Sequence, residues 1–175
     1  ILLLTYGVSA HAAGSDVRTI KVTNITDRIT VDGILDEAIW RSAPPIGELI
    51  QRLPNPGARP TERTQVTLLR DANNLYVGVV VYDSDPDKLT ATNMARDASL
   101  GSQDRLEILL DTYRDQRNAF YFATNPVGAL VDGLAFGNRG LNINWDAIWN
   151  LRTQRTNEGW TAEIAIPFKS LSFPA

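Results

Sequence analysis

Cysteine is absent from this 175-residue sequence, and histidine occurs once, at His11. The lack of cysteine excludes disulfides, a thiolate nucleophile and a zinc site built on sulfur. Basic residues are not in excess either: the formal net charge is −3, and the lysines and arginines are not clustered. Because a nucleic-acid partner needs a clustered basic face, this composition argues against one.

The first residues of the chain are uncharged. Residues 1–13 begin with Ile-Leu-Leu-Leu and end with the small-residue run Ala-His-Ala-Ala. An apolar stretch of about ten residues before a small-x-small site is typical of a secretory signal and is too short to span a membrane. We predict that residues 1–13 are the remnant of such a signal, and that the protein is exported to the periplasm or outer membrane, or secreted. The alternative is that this stretch forms a buried first strand.

Residues 17–175 are predicted to form one domain, truncated at its C-terminal end. Short alternating or β-branched runs separated by turn residues predict an all-β, antiparallel β-sandwich of jelly-roll or immunoglobulin-like type. The connector 42–62 holds five prolines and is predicted to wrap a sheet edge, and residues 137–144 are predicted to be a loop. The predicted strands are Thr19–Thr23, Arg28–Val31, Gln65–Arg70, Leu75–Tyr82, Arg105–Asp111, Asn118–Thr124, Ala129–Phe136, Trp145–Thr153 and Trp160–Ile166.

The segment from Ile29 to Trp40 changes its period midway. A β-branched run stops at Asp32-Gly33, where glycine can supply a positive φ. The apolar residues that follow fall at helical spacing, which predicts one short helical turn near Leu35–Trp40. The sequence therefore predicts a strand that passes into a turn closed by a tryptophan.

Four segments, taken together, resemble the family 9 carbohydrate-binding modules. They are Val31–Trp40, Asn74–Gly78, Asp104–Asp111 and Gly159–Phe168. The variant seen here is similar to the domain found at the N-terminus of large Gram-negative envelope proteins that carry a C-terminal barrel-like region. The resemblance implies a non-catalytic β-sandwich module that binds a glycan or the reducing end of a sugar, and that works beside the C-terminal region of the same polypeptide.

The resemblance also implies site residues. Glu107 matches the glutamate that binds sugar hydroxyls in the family, and Asp104 lies beside it in the same segment. The family would place a sugar-stacking tryptophan near Gly101 and an arginine near Ala123, and neither residue type is present there.

Two further tryptophans are candidates from their spacing alone. Trp145 and Trp149 lie four residues apart on a predicted strand, so their side chains would point to the same side. They predict either an exposed platform for a sugar ring or a pair of core residues. Trp40 and Trp160 alternate with aliphatic residues and are predicted to be core.

An alternating acidic run is a weak candidate for a metal site. Asp83, Asp85 and Asp87 begin like a calcium loop, but Lys88 and Met94 stand where an EF-hand needs glycine and a bidentate glutamate. The resemblance allows a structural calcium, whereas an ordinary solvated turn is the alternative.

No pair of facing carboxylates is predicted, although hydrolysis of a glycoside requires one. We therefore predict a non-catalytic carbohydrate-binding module of a larger exported protein, involved in polysaccharide binding or catabolism. The parent polypeptide could itself carry a glycoside hydrolase. The alternative is a structural or interaction domain of an outer-membrane protein that no longer binds sugar.

Overall fold

The computed structural model describes residues 2–3, 19–137 and 140–174. In this part of the chain ten strands and one five-residue helix, α1 (Ala38–Ser42), are present, with 3-10 turns at Pro86–Lys88 and Phe168–Ser170. The strands are β1 (Leu2–Leu3), β2 (Thr23–Asn24), β3 (Thr64–Arg70), β4 (Asn74–Tyr82), β5 (Leu106–Leu110), β6 (Asn118–Thr124), β7 (Val131–Phe136), β8 (Gly140–Asn142), β9 (Asn150–Thr156) and β10 (Gly159–Pro167).

The strands form two five-stranded sheets. The first sheet has the order β1-β5-β6-β7-β8, and the second has the order β2-β3-β4-β10-β9. Every pairing is antiparallel except the two-residue contacts of β1 with β5 and of β2 with β3. The predicted all-β sandwich is confirmed.

The core lies between the two sheets. Alternate side chains of each central strand point inward, as the period of a strand requires. The first sheet contributes Leu106, Ile108, Phe120 and Phe122, and the second contributes Val77, Val79, Trp160, Ala162, Ile164 and Ile166. Trp160 is 2% exposed, which confirms its predicted place in the core.

The prediction of a strand at Arg28–Val31 is wrong. This segment crosses the outer face of the second sheet, and Thr30 donates its N–H to the Glu37 side chain, not to a neighbouring strand. The helix also begins later than predicted, at Ala38, and runs to Ser42. Of the predicted strand Thr19–Thr23, only Thr23 belongs to a strand, β2.

The predicted strand Trp145–Thr153 is wrong in its first half, because β9 begins only at Asn150. The buried carboxylate of Asp132 accepts hydrogen bonds from the Ala147 N–H and the Trp149 indole N–H. These bonds hold residues 145–149 outside a sheet ladder. The predicted loop 137–144 contains a further short strand, β8, paired with β7.

The proline-rich connector follows the edge of β3, as predicted. Ile46 donates its N–H to the Val66 carbonyl at 2.9 Å, and Pro45 forms an isolated bridge with Thr67. At the start of the chain, Leu2–Leu3 runs parallel to β5, opposite Leu106 and Glu107. The rest of the predicted signal, residues 1 and 4–13, lies outside the described residues. Within the described ranges, none of the helices is both long and apolar enough to cross a membrane.

Candidate functional site

Glu163 connects residues 29–43, which hold a turn and helix α1, to the second sheet. Its side chain points out of the sandwich from β10 and is fully buried beneath residues 29–43. One carboxylate oxygen accepts the N–H groups of Asp32 and Gly33 at 2.9 and 3.1 Å, and the other accepts the indole N–H of Trp40 at 2.9 Å. Burial raises the pKa of Glu163, and these three donors act against the rise. The carboxylate therefore accepts the backbone hydrogen bonds of the turn, as the carbonyl groups of a neighbouring strand otherwise would.

Gly78 completes this contact from β4. A Cβ atom built on Gly78 would lie 2.7 Å from Cζ3 of Trp40, so only glycine leaves room for the indole ring. Gly33 has φ of +93° and passes close to the backbone of β9. Three of the four segments that predicted the family thus meet around Trp40, Gly78 and Glu163. We name this contact the buried anchor. It stabilises the fold, and its tight packing leaves no room for a ligand.

The fourth segment places Glu107 on the outer face of the first sheet. Because Leu106 and Ile108 point into the core, Glu107 points away from it. Arg105 lies on the same face, and its Nε is 2.6 Å from Oε1 of Glu107. The hydroxyl of Tyr121, on β6, donates to the same oxygen at 3.1 Å. Burial and the neighbouring carboxylate both raise the pKa of Tyr121, so its hydroxyl stays protonated.

Arg105 is held from the other side by the preceding loop. Its Nη1 donates to the carbonyls of Leu100 and Gly101, each at 3.1 Å. Leu100 packs on Ala123 and thereby covers one end of the face. This loop forms a wall beside the ion pair of Arg105 and Glu107.

Towards β7 and β8 the same face is partly covered by Leu141. Tyr121 lies opposite Gly133 on β7, and Ala135 lies opposite Leu141 on β8. Leu141 is 41% exposed, and its Cδ1 would lie 3.1 Å from a Cβ atom built on the buried Gly133. We name the surface formed by Arg105, Glu107, Tyr121, Gly133, Ala135 and Leu141 the Glu107 face.

The two candidate tryptophans lie elsewhere. Trp149 is 7% exposed, packs edge-on against Phe122 and donates to Asp132 at 3.0 Å. Trp145 is half-buried against Phe120 and Phe122. Both side chains contact the inner side of the first sheet, away from Glu107. Trp149 is therefore a core residue, the second of the two alternatives given above. Neither tryptophan lies on the Glu107 face.

Asp104 is next to Arg105 in the chain but has different hydrogen-bond partners. Its carboxylate accepts the N–H of Thr90 at 2.7 Å, and its own N–H donates to the Thr90 carbonyl. Asp104 thus joins the start of β5 to the segment that follows the 3-10 turn. The structure does not bring it into contact with Glu107.

The acidic run forms a local turn. The Asp83 carboxylate accepts the Asp85 N–H at 2.7 Å, and Asp85 is paired with Lys88. In the part of the chain that the structure describes, no group of three acidic or histidine side chains is arranged to hold a metal ion. A calcium ion at Asp83, Asp85 and Asp87 stays a prediction.

Comparison with known proteins identifies the family. Residues 31–175 match the family described as carbohydrate family 9 binding domain-like. The chain belongs to this family. Its members are non-catalytic binding modules, which agrees with the resemblance drawn from the four segments. A comparison with curated proteins gave no match.

Solved structures share the fold. A family 9 module from Caldicellulosiruptor kristjanssonii in complex with cellotriose is 21% identical, with a TM-score of 0.60 over 89% of this chain and 70% of that one. A family 9 module from the same organism in complex with glucose is 19% identical, with a TM-score of 0.61 over 89% and 72%. A protein from Bacteroides uniformis aligns at 11% identity and a TM-score of 0.61 over 87% and 75%.

Two residues of the Glu107 face were missed by the sequence reasoning for this family 9 domain. The predicted strands Arg105–Asp111 and Asn118–Thr124 already contained the signal. If Phe120 and Phe122 face the core, Tyr121 must lie on the outer face with Glu107. Arg105 shares that face by the same alternation, but its sequence position gave no sign of a contact with a ligand.

Proposed function

We propose that this family 9 domain binds carbohydrate at the Glu107 face. The observation that carries the proposal is the geometry of Glu107, which lies on the outer face of the first sheet and is oriented by Arg105 and Tyr121. The cellotriose and glucose complexes of family 9 modules with the same fold support the class of ligand.

The chemistry of the face suits a sugar. A carboxylate accepts hydrogen bonds from hydroxyl groups, and a guanidinium donates to hydroxyl oxygens. The Tyr121 ring offers an apolar surface to the C–H groups of a pyranose. Burial of roughly 60 Å² on one ring gives about 1.5 kcal/mol. With a few hydrogen bonds in addition, we expect a dissociation constant on the order of millimolar.

Calorimetry or NMR titration with cellotriose and glucose tests the proposal. Glu107→Gln keeps the size of the side chain but removes the charge, and we expect it to weaken binding about tenfold or more. Glu158→Gln, in the exposed turn between β9 and β10, is the matched control and should bind like the wild type. Equal binding by Glu107→Gln and the wild type would refute this location of the site.

We also propose that the module is exported and belongs to a larger polypeptide that takes part in polysaccharide catabolism. The apolar, uncharged residues 1–13 support export to the periplasm or outer membrane. N-terminal sequencing of material secreted by a host should find a start near Ala13 or Gly14. A mature chain that keeps residues 1–12 would contradict export by cleavage.

A second candidate function is a structural or interaction domain that does not bind sugar. The position of the four tryptophans favours it: Trp40, Trp149 and Trp160 are buried, and Trp145 packs on the core, so none of them lies on the Glu107 face. A folded protein that retains no saccharide on a broad glycan array would support this function over the first.

A further inference from the structure

The loop before β5 is fixed by two buried amide side chains. Residues 92–103 contain no helix or strand, yet Gln103 is 9% exposed, and Asn125, in the turn after β6, is fully buried. Nδ2 of Asn125 donates to Oε1 of Gln103 at 3.0 Å and to the carbonyl of Asn93 at 2.7 Å. We name Gln103 and Asn125 the amide pair.

Each member of the amide pair also binds backbone groups. Oε1 of Gln103 accepts the N–H groups of Thr92 and Asn93 at 2.9 and 3.3 Å. Oδ1 of Asn125 accepts two N–H groups of the turn that follows it, at 3.2 and 3.0 Å. Because a buried polar group is costly to leave without its partner, the pair joins the start and the end of the loop to this turn.

The wall beside Glu107 belongs to the same loop. The N–H of Gln103 donates to the Leu100 carbonyl at 3.0 Å, and its Nε2 donates to the Ser99 carbonyl at 3.4 Å. The Leu100 carbonyl also accepts Nη1 of Arg105, whose Nε donates to Glu107. A continuous series of hydrogen bonds therefore runs from the amide pair through the wall to Glu107.

This arrangement fixes the wall before any ligand arrives. A loop that is already ordered does not have to be ordered on binding, so more of the contact energy is available as affinity. Side chains that touch a ligand keep their geometry only when buried neighbours hold them. Oε1 of Gln103 and Nδ2 of Asn125 are bonded to protein groups, so the amide pair acts on a ligand through the wall.

We infer that Gln103 and Asn125 are positioning residues of the Glu107 face, which hold the wall, and through it Arg105, in the geometry that receives a ligand. This inference rests on the proposed function and adds to it the residues that prepare the site.

NMR and calorimetry of the whole chain, with cellotriose as the ligand, test the inference. Gln103→Ala removes the acceptor oxygen, so we expect the Nε–H resonance of Arg105 to shift or broaden. We also expect the affinity for cellotriose to fall about fivefold or more, measured at a temperature at which the variant is fully folded. Gln103→Glu keeps an acceptor oxygen for all three donors and should restore both values, the affinity to within about twofold of the wild type.

Trp40→Phe is the matched control for a loss of stability alone. It removes one buried hydrogen bond in the buried anchor, on the outer face of the second sheet, and leaves the wall untouched. We expect Trp40→Phe to keep the wild-type Arg105 resonance and the wild-type affinity. If it weakens binding as much as Gln103→Ala does, the effect comes from general stability and the inference is overturned.

The remaining outcomes separate the inference from the proposed function. If the wild type binds no saccharide, the proposed function fails and the inference with it. If the wild type binds cellotriose and Gln103→Ala binds it equally well, the inference fails and the function stands. If Gln103→Glu binds as weakly as Gln103→Ala, the acceptor oxygen is not what fixes the wall, and the role of Gln103 is overturned.

A measurement on the free wild type needs no variant and applies even if Gln103→Ala does not fold. Backbone NMR relaxation of residues 99–103 should give order parameters near those of the strands, about 0.85. Values below about 0.6 would show a loop that is not fixed before binding, and would overturn the inference.

Discussion

Gly78→Ala tests whether the buried anchor around Trp40 is as tightly packed as the structure indicates. The new Cβ atom would lie 2.7 and 2.8 Å from two carbons of the Trp40 ring and 3.0 Å from Cδ2 of Leu35. Trp40 cannot move aside freely, because it is 5% exposed and its indole N–H is bonded to Glu163. Overpacking of this kind costs about 1–3 kcal/mol.

Part of that cost is offset, because alanine suits a strand better than glycine by roughly 0.5–1 kcal/mol. We therefore expect Gly78→Ala to lower the free energy of unfolding by about 1–2 kcal/mol. For a chain of this length, that corresponds to a decrease in Tm of roughly 2–8 °C. The assay is urea unfolding, followed in parallel by tryptophan fluorescence and far-UV circular dichroism, with the m value required to stay constant.

Gly101→Ala is the matched control for stability. The nearest atom to its new Cβ, Oγ of Ser99, is 3.9 Å away, so we expect a change within about 0.5 kcal/mol. A second arm repeats Gly78→Ala in a Trp40→Leu background, where the clash is removed and the cost should fall to about zero. The reasoning is refuted if Gly78→Ala is as stable as the control, or if its cost is the same with leucine at position 40.

Three further predictions concern buried or hydrogen-bonded carboxylates. Trp40→Phe keeps an aromatic ring in the anchor but leaves one oxygen of Glu163 without its donor, so urea unfolding should show a loss of about 1–3 kcal/mol. Asp132→Asn should cost about 2 kcal/mol or more, since Asp132 is fully buried and accepts the Trp149 indole; an unchanged near-ultraviolet circular dichroism spectrum would contradict this role. Burial alone would raise the pKa of Asp71, but hydrogen bonds from neighbouring backbone and side-chain groups lower it overall. The stability contributed by Asp71 is therefore present above the unfolded pKa of about 3.9 and lost as the pH falls through the folded value. Urea midpoints between pH 6 and pH 2 should fall less steeply in Asp71→Asn than in the wild type.

Much of the fold was predictable because a strand can be recognised from the pattern of apolar residues within its own segment. Asn118–Thr124 was predicted to the residue, and β4, β5 and β10 were predicted to within one or two residues at each end. β4 is almost continuously apolar, which is typical of a central strand. In β5 and β10 apolar side chains recur at every second residue, and that alternation already indicates which face is buried. The outward direction of Glu107 followed from the same pattern.

The errors share a different cause. Residues 28–31 and 145–149 are rich in β-branched or aromatic residues, yet neither forms a strand. In each case a side-chain carboxylate, and not a neighbouring strand, accepts a backbone N–H: Glu37 accepts that of Thr30, and the buried Asp132 accepts that of Ala147. The turn that follows residues 28–31 is fixed by Glu163, which accepts the N–H of Asp32, 131 residues earlier in the chain. No local pattern can reveal an acceptor that lies so far away in sequence.

The amino-acid sequence alone was sufficient for the sandwich, the family and the outward position of Glu107, because these depend on periodicity and on short segments. Only the tertiary structure decided that the tryptophans at 145 and 149 pack on the core and that Arg105 and Tyr121 both donate hydrogen bonds to Oε1 of Glu107. A side chain's partner depends on which strands become neighbours and in what register. That choice is made by the burial of the whole core and not by any single segment of the chain.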